Sequence, residues 1–549
     1  MKIAVVTLDV KAGKCEENFT RMKQYIEDAK TQGSELIVFG QNAVSGYLLG
    51  DQWLDDAWCQ YVDSFNERLI ALSDEIAIVW GNIRYRNLRR FNAAFFAYQG
   101  VTHMRVKAND STEYMDDERY FEYNPINGAI EYKDMVFALN FGKELQIADL
   151  NINLDAHTYA LEETRVHKGM ILYANVTGMQ NTGKQVKIME GASYVYFDHK
   201  LLYEADYFKE EMGIVDLTSQ QEINAKQPEL LQAMMMGIKG FDKIALGGKL
   251  PWVVGLSGGL DSSVTAALLA MSLGKERVYG YNMSTAYNSE KTIDNAEAEA
   301  NALGIHYHKG GITGMLDAMQ HEFGKEFHMQ YENHSLVHEN MQARIRGFVL
   351  NGLAAMLGGV VVNNGNMVEA ALGYCTLYGD SIGALSPIGD LSKVQLFSLS
   401  RAINTYLQKE VIPERLLPVE TEEGYEWEMM PSAELKDAQK DPMKWFYHDA
   451  LLEMIRQGAT RSDLIKAYRN GALQEQLGKW ICFYDLRKET NFIKDIDWLF
   501  STMKKNAFKR LQYPPVISFH HQTITASLLA QFQIGNEDQK QIDAILKIS

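Results

Sequence analysis

A chain of 549 residues is too long for one hydrophobic core, so its length predicts two or three domains. Its composition, 46% hydrophobic and 23% charged, is that of a globular protein, and a net charge of −17 excludes a large nucleic-acid surface, which needs clustered Lys and Arg. Four cysteines without a CxxC pair, no secretory signal and no membrane-length apolar run predict a cytoplasmic protein that contacts no membrane and uses neither zinc nor dithiol chemistry.

The amino-terminal region combines strand and helix patterns. The segments KIAVVTLDV (2–10) and ELIVFG (35–40) are rich in β-branched residues, and a helical pattern, ENFTRMKQYIEDAK, lies between them. Further short strand candidates occur at 75–83, 93–98, 145–150, 171–176 and 193–198. This density of strands predicts a layered α/β sandwich over residues 1–200.

The rest of the chain changes character after residue 200. Residues 201–230 are largely polar and are interpreted as a connection between domains. An apolar helix pattern, ELLQAMMMGIKGF, then leads into the strand Trp252–Leu256, after which strands and helices alternate. Such alternation is typical of an open parallel sheet, so residues 231–549 are predicted to form a second α/β domain.

A glycine turn joins the strand at 252–256 to an apolar helix. Strand, glycine turn and helix amino terminus together form a site for phosphate, because the backbone can approach closely and free amides point at the anion. Serine hydroxyls can add donors, and the aspartate can bind the Mg²⁺ that accompanies ATP. The candidate ATP-binding residues of this turn are Ser257, Gly258, Gly259, Asp261, Ser262 and Ser263.

This string resembles the SGGxDS loop of the ATP-pyrophosphatase superfamily. No GxxxxGK[ST] occurs in the chain, which disfavours a P-loop NTPase. The resemblance implies that the loop grips the pyrophosphate of ATP while the α-phosphorus is attacked, so that a substrate becomes adenylated. The loop alone names no substrate, because the superfamily includes several ligases and tRNA-modifying enzymes.

Later blocks resemble NAD synthetase in particular, in that family's order. They are ENMQARIR (339–346), GYCTLYGD (373–380), PIGDLSK (387–393), PSAEL (431–435) and KRLQYPP (509–515). The resemblance covers residues of about 230–515. It implies a Rossmann-like ATP-pyrophosphatase domain that binds deamido-NAD, ATP and ammonia.

The resemblance also implies roles for single residues. Asp261 and Glu369 would share Mg²⁺, Glu369 following a predicted strand at the edge where open α/β sheets bind ligands. Lys393 would neutralise the ATP phosphates and the departing pyrophosphate, acting catalytically with Asp261. Arg344 would contact the pyrophosphate or ribose of deamido-NAD. By the same resemblance, ATP contacts are Asn364 and Ser432, and dinucleotide contacts are Phe508 and Lys509.

Two segments depart from the family pattern. The usual Thr-Gly-Asn-Lys-Ser-Glu reads Asn364-Gly365-Asn366-Met367-Val368-Glu369, so Asn364 replaces a threonine and Met367 a lysine. The stretch after PSAEL ends in Gln439-Lys440-Asp441-Pro442. The metal carboxylate is kept, but the changes leave the exact carboxylate substrate open.

The amino-terminal region resembles the nitrilase-like glutaminase domain of glutamine-using NAD synthetases, an αββα sandwich with a Glu–Lys–Cys triad. Here Gln41 occupies the position of the base, Lys107 is the retained lysine, and the best match to the nucleophile segment, 147–150, places Ala148 at the cysteine. No cysteine occurs between residues 60 and 374. Without a thiolate no acyl-enzyme forms, so this domain is predicted to be an inactive glutaminase.

The sequence therefore predicts an ammonia-using NAD synthetase that forms NAD, AMP and pyrophosphate. Ammonia would come from solution or from a separate glutaminase, and the family resemblance implies a homo-oligomer. Two alternatives stay open: an amide ligase for another carboxylate, and a nucleotide-binding paralogue without activity. Retention of Asp261, Glu369 and Lys393 argues against the second.

Overall fold

The computed structural model describes residues 1–108, 115–123, 129–285, 290–333, 335–430, 441–525 and 537–547. The chain divides into two compact units. Unit 1 is Met1–Gly240 with Phe519–His521, and unit 2 is Phe241–Ser518 with Gln522–Ser549. Among the described residues, no helix has the length and apolar composition needed to cross a bilayer.

Unit 1 consists mainly of strands. Its strands are β1 Lys2–Thr7, β2 Leu36–Phe39, β3 Ala77–Arg86, β4 Arg89–Tyr98, β5 Val101–Val106, β6 Ile130–Tyr132, β7 Met135–Phe141, β8 Leu150–Asp155, β9 Ile171–Asn175, β10 Thr177–Thr182, β11 Gln185–Glu190, β12 Tyr194–Phe197, β13 Lys200–Glu204 and β14 Glu211–Asp216. Its helices are α1 Cys15–Thr31, α2 Asp56–Ile70 and α3 Asp117–Tyr120, and α4 Leu230–Leu246 begins in this unit. Strands β13 and β14 lie beyond residue 200, so the segment predicted as a connection is partly sheet.

Two six-stranded sheets form the sandwich, in the orders β14-β1-β2-β3-β4-β5 and β13-β12-β9-β8-β7-β6. Alternation along β1 explains the layers: Ile3 and Val5 face the second sheet, whereas Ala4 and Val6 face α1 and α2. The central strands β1, β2 and β3 are buried on both faces along most of their length, whereas the edge strands β5 and β14 are partly exposed. The first helical layer of the predicted αββα sandwich is therefore present.

The fourth layer of that sandwich differs from the prediction. Between α3 and α4 the described residues contain no helix, and loops follow both β7 and β8. The outer face of the second sheet explains this, because it carries Asn140, Asn151 and Asn153 where a packed helix needs apolar side chains. Asn140 donates instead to the Asn151 side chain at 2.8 Å. Loops cover this face.

Unit 2 combines a parallel sheet with many helices. Its strands are β15 Trp252–Gly255, β16 Val278–Ser284, β17 His306–Gly311, β18 Val360–Val361, β19 Val419–Glu420, β20 Tyr425–Glu426 and β21 Val516–Ser518. Its helices after α4 are α5 Leu260–Leu273, α6 Glu290–Leu303, α7 Thr313–Glu326, α8 Leu336–Leu357, α9 Met367–Leu372, α10 Lys393–Leu407, α11 Tyr447–Arg456, α12 Arg461–Arg469, α13 Ala472–Phe483, α14 Glu489–Lys505, α15 Ala507–Leu511 and α16 Glu537–Lys547.

The parallel sheet of unit 2 has the order β17-β16-β15-β18, which confirms the predicted parallel sheet. Successive strands run outward from β15 to β17, whereas β18 returns to the other side of β15. The strand order therefore reverses between β15 and β18. Open α/β sheets bind ligands beyond the carboxyl ends of the strands at such a reversal, so the loops after β15 and β18 are the expected site.

Candidate active site

A cavity of about 320 Å³ lies at the carboxyl ends of β15 and β18, where the strand order reverses. The loop after β15, the start of α5 and the turn before α9 form much of its wall. Its charged and amide lining includes Asp261, Arg346, Asn364, Glu369, Lys393 and Asp441. The fold thus brings together residues separated by up to 180 positions in the sequence.

The glycine turn after β15 is shaped for close backbone approach. Gly258 has φ +84°, and a Cβ there would lie 1.8 Å from the Thr292 carbonyl oxygen, so only glycine fits. Gly259 is the N-cap of α5 and offers no side chain to the amides of the first turn. Those amides and the helix dipole favour an anion. The turn therefore has the backbone geometry of a phosphate-binding loop.

The serines of this turn have different positions. Ser257 Oγ accepts the Gly259 N–H at 3.2 Å and lies 3.1 Å from Ser262 Oγ, and both serines line the cavity. Ser263 is fully buried and donates to a Glu299 carboxyl oxygen at 2.7 Å instead. Ser257 and Ser262 remain predicted ATP contacts, whereas Ser263 does not line the cavity and instead binds α5 to α6.

An ion pair crosses the cavity wall. Lys393 Nζ donates to an Asp261 carboxylate oxygen, and the Lys393 backbone N–H donates to Asp449 Oδ1 at 2.7 Å. Burial alone would lower the pKa of Lys393, but the charges of Asp261 and Glu369 outweigh it and hold that pKa above its ordinary value. Lys393 is therefore a fixed cation beside the phosphate loop.

Glu369 faces the same cavity from α9. Its carboxylate accepts the Asn366 N–H at 3.2 Å in a capping box, and the Asn366 side chain donates to Asp261 at 3.3 Å. Burial raises the pKa of Glu369 to about 8, the Asp261 charge adds to the rise, and Lys393 opposes it. A neighbouring cation would therefore stabilise the ionised form of Glu369.

These carboxylates fit the divalent cation implied by the family. Asp261 and Glu369 offer oxygen ligands, which Mg²⁺ prefers, and their crowding is relieved by positive charge. Within the described ranges, no group of three or more His, Cys, Asp or Glu could hold a metal alone. Mg²⁺ is usually bound by one or two carboxylates together with substrate phosphates, and Asp261 and Glu369 are the two carboxylates that would hold it here.

The two departures in the turn before α9 have different surroundings. Asn364 lines the cavity and donates to the Gly255 carbonyl at 2.9 Å, while its buried Oδ1 has no partner among the described residues. Met367 is 2% exposed and packs in a cluster with Trp445 and Leu451. A lysine at 367 would be buried among apolar side chains here, which explains the methionine.

None of the three predicted dinucleotide residues, Arg344, Phe508 and Lys509, lines the cavity. Arg344 is half-buried and does not line it, whereas Arg346 does and donates from Nε to the Met283 carbonyl at 3.1 Å. Phe508 is 42% exposed and also lies outside the lining. Lys509 Nζ donates to two carbonyls of the loop after α9, at 2.8 and 2.6 Å. Ser432 lies outside the described residues.

Replacing Arg346 by Ala is expected to lower kcat/KM for ATP by about 10–100-fold, because a hydrogen bond to a charged group contributes about 1.5–3 kcal/mol. Arg344→Ala is the matched control, since it removes the same charge from the same helix without touching the cavity. Initial rates at varied ATP measure both variants. Equal losses would contradict the placement of Arg346 in the site.

In unit 1, the Gln41 and Lys107 positions are buried or nearly so. Gln41 is 2% exposed, and its side-chain Nε2 has no partner in the described chain. Lys107 Nζ donates to Asp117 at 2.6 Å and to Tyr47 OH at 3.1 Å. An amide at 41 cannot take a proton from a nucleophile as a carboxylate base would.

The position of Ala148 requires a correction. Ala148 precedes β8, whereas the Gln41 N–H donates to the Asp155 carbonyl at the other end of that strand, at 3.0 Å. Seven residues of extended chain span about 20 Å, so Ala148 is not beside Gln41. Asp155, the last residue of β8, is the residue that lies beside Gln41. The inward alternation of Leu150, Ile152 and Leu154 could have set this register.

Residues 242–483 match the NAD synthase family. A glutamine-dependent NAD(+) synthetase of Acinetobacter baylyi is 27% identical over 503 residues, which are 84% of this chain and 90% of that protein. The structure of a glutamine-dependent NAD(+) synthetase from Cytophaga hutchinsonii aligns over 99% of both chains, with a TM-score of 0.79 and 15% identity. That of Acinetobacter baumannii, in complex with ADP, covers 97% of this chain and 99% of its own, with a TM-score of 0.67 and 21% identity.

The fold and these matches define a class: a nitrilase-like unit, as the fold shows, followed by a domain that matches the NAD synthase family. More particularly, the chain carries an NAD synthase domain and is a homologue of glutamine-dependent NAD synthetases along most of its length. The resemblance inferred from the sequence blocks is confirmed.

Proposed function

We propose that the protein adenylates the nicotinate carboxylate of deamido-NAD with ATP and amidates it with ammonia, giving NAD, AMP and pyrophosphate. The observation that carries the proposal is the Lys393–Asp261 ion pair beside the phosphate loop, with Glu369 lining the same cavity. The match of residues 242–483 to the NAD synthase family supports this choice of substrate.

The residues of the cavity would act by position and charge. The amides at the start of α5 and the ammonium of Lys393 would neutralise the phosphates as the substrate carboxylate attacks the α-phosphorus and pyrophosphate departs. Mg²⁺ held by Asp261 and Glu369 would supply further positive charge to the same phosphates. Ammonia then displaces AMP from the acyl-adenylate, so no protein nucleophile is needed.

Asn364 supplies a further argument for a nucleotide in this cavity. Its Oδ1 is a buried acceptor without a partner among the described residues, and leaving such an atom unsatisfied costs about 1–3 kcal/mol. A ligand N–H or hydroxyl would satisfy it. Because the family's threonine is an alcohol rather than an amide, the same atom also favours the runner-up function, an amide ligase for a related carboxylate.

We further infer that unit 1 does not release ammonia from glutamine. Gln41 stands where a base is required, and the strand end beside it carries Asp155, whose carboxylate already accepts the Tyr173 hydroxyl at 2.8 Å. Neither residue can act as the thiolate of an acyl-enzyme. The glutamine dependence named for the relatives would then have been lost here, with ammonia taken from solution or a separate glutaminase.

The test supplies Mg-ATP and deamido-NAD with either ammonium or glutamine and follows NAD and AMP by chromatography. NAD is expected with ammonium and not with glutamine alone. As control, glutamine plus a separately purified glutaminase should restore NAD formation. NAD from glutamine alone would overturn the inference about unit 1. AMP without NAD in a screen of other carboxylates would favour the runner-up ligase.

A further inference from the structure

Unit 1 contains a second cavity, of about 310 Å³, on the outer face of its second sheet. Tyrosine rings form much of its wall. Tyr173 on β9 and Tyr194 on β12 stack with ring centroids 5.0 Å apart and an interplanar angle of 23°. Tyr159 and Tyr207 complete the aromatic lining. The cavity lies within unit 1 and shares no residue with the proposed ATP site.

The tyrosine hydroxyls provide hydrogen-bond donors. Tyr173 OH is committed to Asp155 at 2.8 Å, but the hydroxyls of Tyr159, Tyr194 and Tyr207 have no partner within the described part of the chain. Burial raises the pKa of Tyr159 and of Tyr194 to about 12, so these phenols stay protonated near neutral pH. The walls therefore combine flat ring faces with O–H groups that can donate to a ligand.

Cationic groups surround the rings. The Arg165 guanidinium lies 5.1–5.4 Å from the ring centroids of Tyr173, Tyr194 and Tyr207, held by the carboxylates of Glu190 and Glu204. These contacts fix Arg165 as part of the wall. The guanidinium is thus immobilised without a ligand, and its positive charge remains beside the rings.

Two other groups of the lining are cationic, His157 paired with Glu163 and Lys168 without an ion-pair partner among the described residues. Burial alone would lower the pKa of His157, but its hydrogen bond to Glu163 and the charges of Glu190 and Asp155 raise it to about 9, so His157 is cationic at neutral pH. Lys168 lines the cavity, is exposed and has no ion-pair partner among the described residues. In a chain with a net charge of −17, a lysine without an ion-pair partner among the described residues, in the same cavity as tyrosine hydroxyls, favours an anionic group.

Stability alone does not account for this arrangement. A sheet face covered only for packing is filled by apolar side chains at high density, whereas this face holds a guanidinium among carboxylates, whose desolvation is costly. Among the described residues, loops rather than a packed helix cover this face, and the cavity lies between the loop residues 157–168 and the strands. Pockets of roughly 300–1,000 Å³ accommodate small organic ligands.

We propose that this cavity binds a small planar aromatic anion, with the ring against the tyrosines and the anionic group at Lys168 and the free hydroxyls. The anion could be a carboxylate, as in a pyridine carboxylate, or a phosphate, as in a purine nucleotide. Both share a flat π-system with negative charge at one end. Tyrosine ring faces can stack on the flat π-system, and the cationic side chains of the lining can pair with the negative charge.

The experiment titrates the full chain with nicotinate and with AMP by calorimetry and locates each ligand by hydrogen–deuterium exchange. Protection is expected in 156–173 and 194–207. Lys168→Ala and Tyr194→Phe should each weaken binding about tenfold, because each removes one contact to the anion while leaving the fold intact. Lys23→Ala is the control, an exposed lysine on α1 without a partner among the described residues.

Each outcome decides the proposal. Binding of nicotinate, of AMP or of both, with protection in unit 1 and the tenfold losses, supports it and tells carboxylate from phosphate recognition. Protection confined to 255–262 would show that AMP binds only at the proposed ATP site and would overturn it. So would the absence of binding by both probes, or equal effects of Lys168→Ala and Lys23→Ala. Acetate, which has charge but no ring, should bind at least tenfold more weakly than nicotinate.

Discussion

Replacing Lys393 by Met is expected to lower kcat about 100–1,000-fold, with AMP and pyrophosphate formation falling together. The variant removes the fixed cation beside the phosphate loop, and removing a preorganised charge that stabilises a transition state costs about 100–1,000-fold or more. It also leaves the Asp261 carboxylate without its ion-pair partner, so Asp261 would repel the incoming phosphates. The measurement is single-turnover pyrophosphate release with ammonium saturating.

Asp261→Asn and the double variant Asp261→Asn/Lys393→Met separate catalysis from folding. The double variant removes both members of the ion pair, so neither is left as an unpaired ion, and it should fold normally by circular dichroism. If the pair acts as a unit, the double variant will be no slower than the slower single variant. A Lys393→Met enzyme with kcat within tenfold of the parent would contradict the role given to this lysine.

The glycine turn after β15 could be predicted from the sequence because its geometry is local. A strand, two glycines and a helix follow one another without interruption, so the order of residues predicted the turn that the structure contains at Gly258 and Gly259. The parallel sheet was likewise predicted from the alternation of strand and helix patterns. Both inferences needed only neighbouring residues.

The sequence did not predict which side chains of a helix point toward the cavity. Arg344 and Arg346 are two residues apart on α8, and about 200° of rotation separates them around the helix, so only one can face a given cavity. Ser262 and Ser263 differ for the same reason. Asn366 and Asp449, which hold Asp261 and Lys393, were missed because they are close to those residues only in three dimensions. The N-x-x-E capping pattern of 366–369 was the available signal.

The prediction that placed Ala148 at the nucleophile position needed correction for a different reason. Matching Ile147–Leu150 to a four-residue pattern ignored where the strand begins, and β8 begins only at Leu150. The alternating apolar residues of β8 fix its inward face and thereby its end at Asp155. That the described residues of unit 1 contain no helix over the second sheet was also not predicted, because the polar outer face can be recognised only when the register of β8 is known.

Replacing Glu299 by Gln is expected to stabilise the protein increasingly as pH rises. Burial raises the pKa of Glu299 from its ordinary value of 4.5 to about 8, although the Ser263 hydroxyl bond opposes the rise. Between these values the folded state holds a proton that the unfolded state has released, so stability is highest below pH 4.5 and is lost as pH rises through 8. From pH 5 to 9 the loss is about 4 kcal/mol at about 1.4 kcal/mol per pKa unit.

A glutamine at 299 can still accept the Ser263 hydroxyl bond that joins α5 to α6, but it has no proton to lose, so its stability should not share this decline. Glu297→Gln, an exposed change on the same helix, controls for net charge. Urea unfolding midpoints at pH 5, 7 and 9 provide the comparison. Only a buried, protonated carboxyl makes the parent lose stability as pH rises. If the urea midpoints of the parent and of Glu299→Gln changed with pH in parallel, Glu299 would be ionised in the folded protein and its surroundings on α6 would be hydrated.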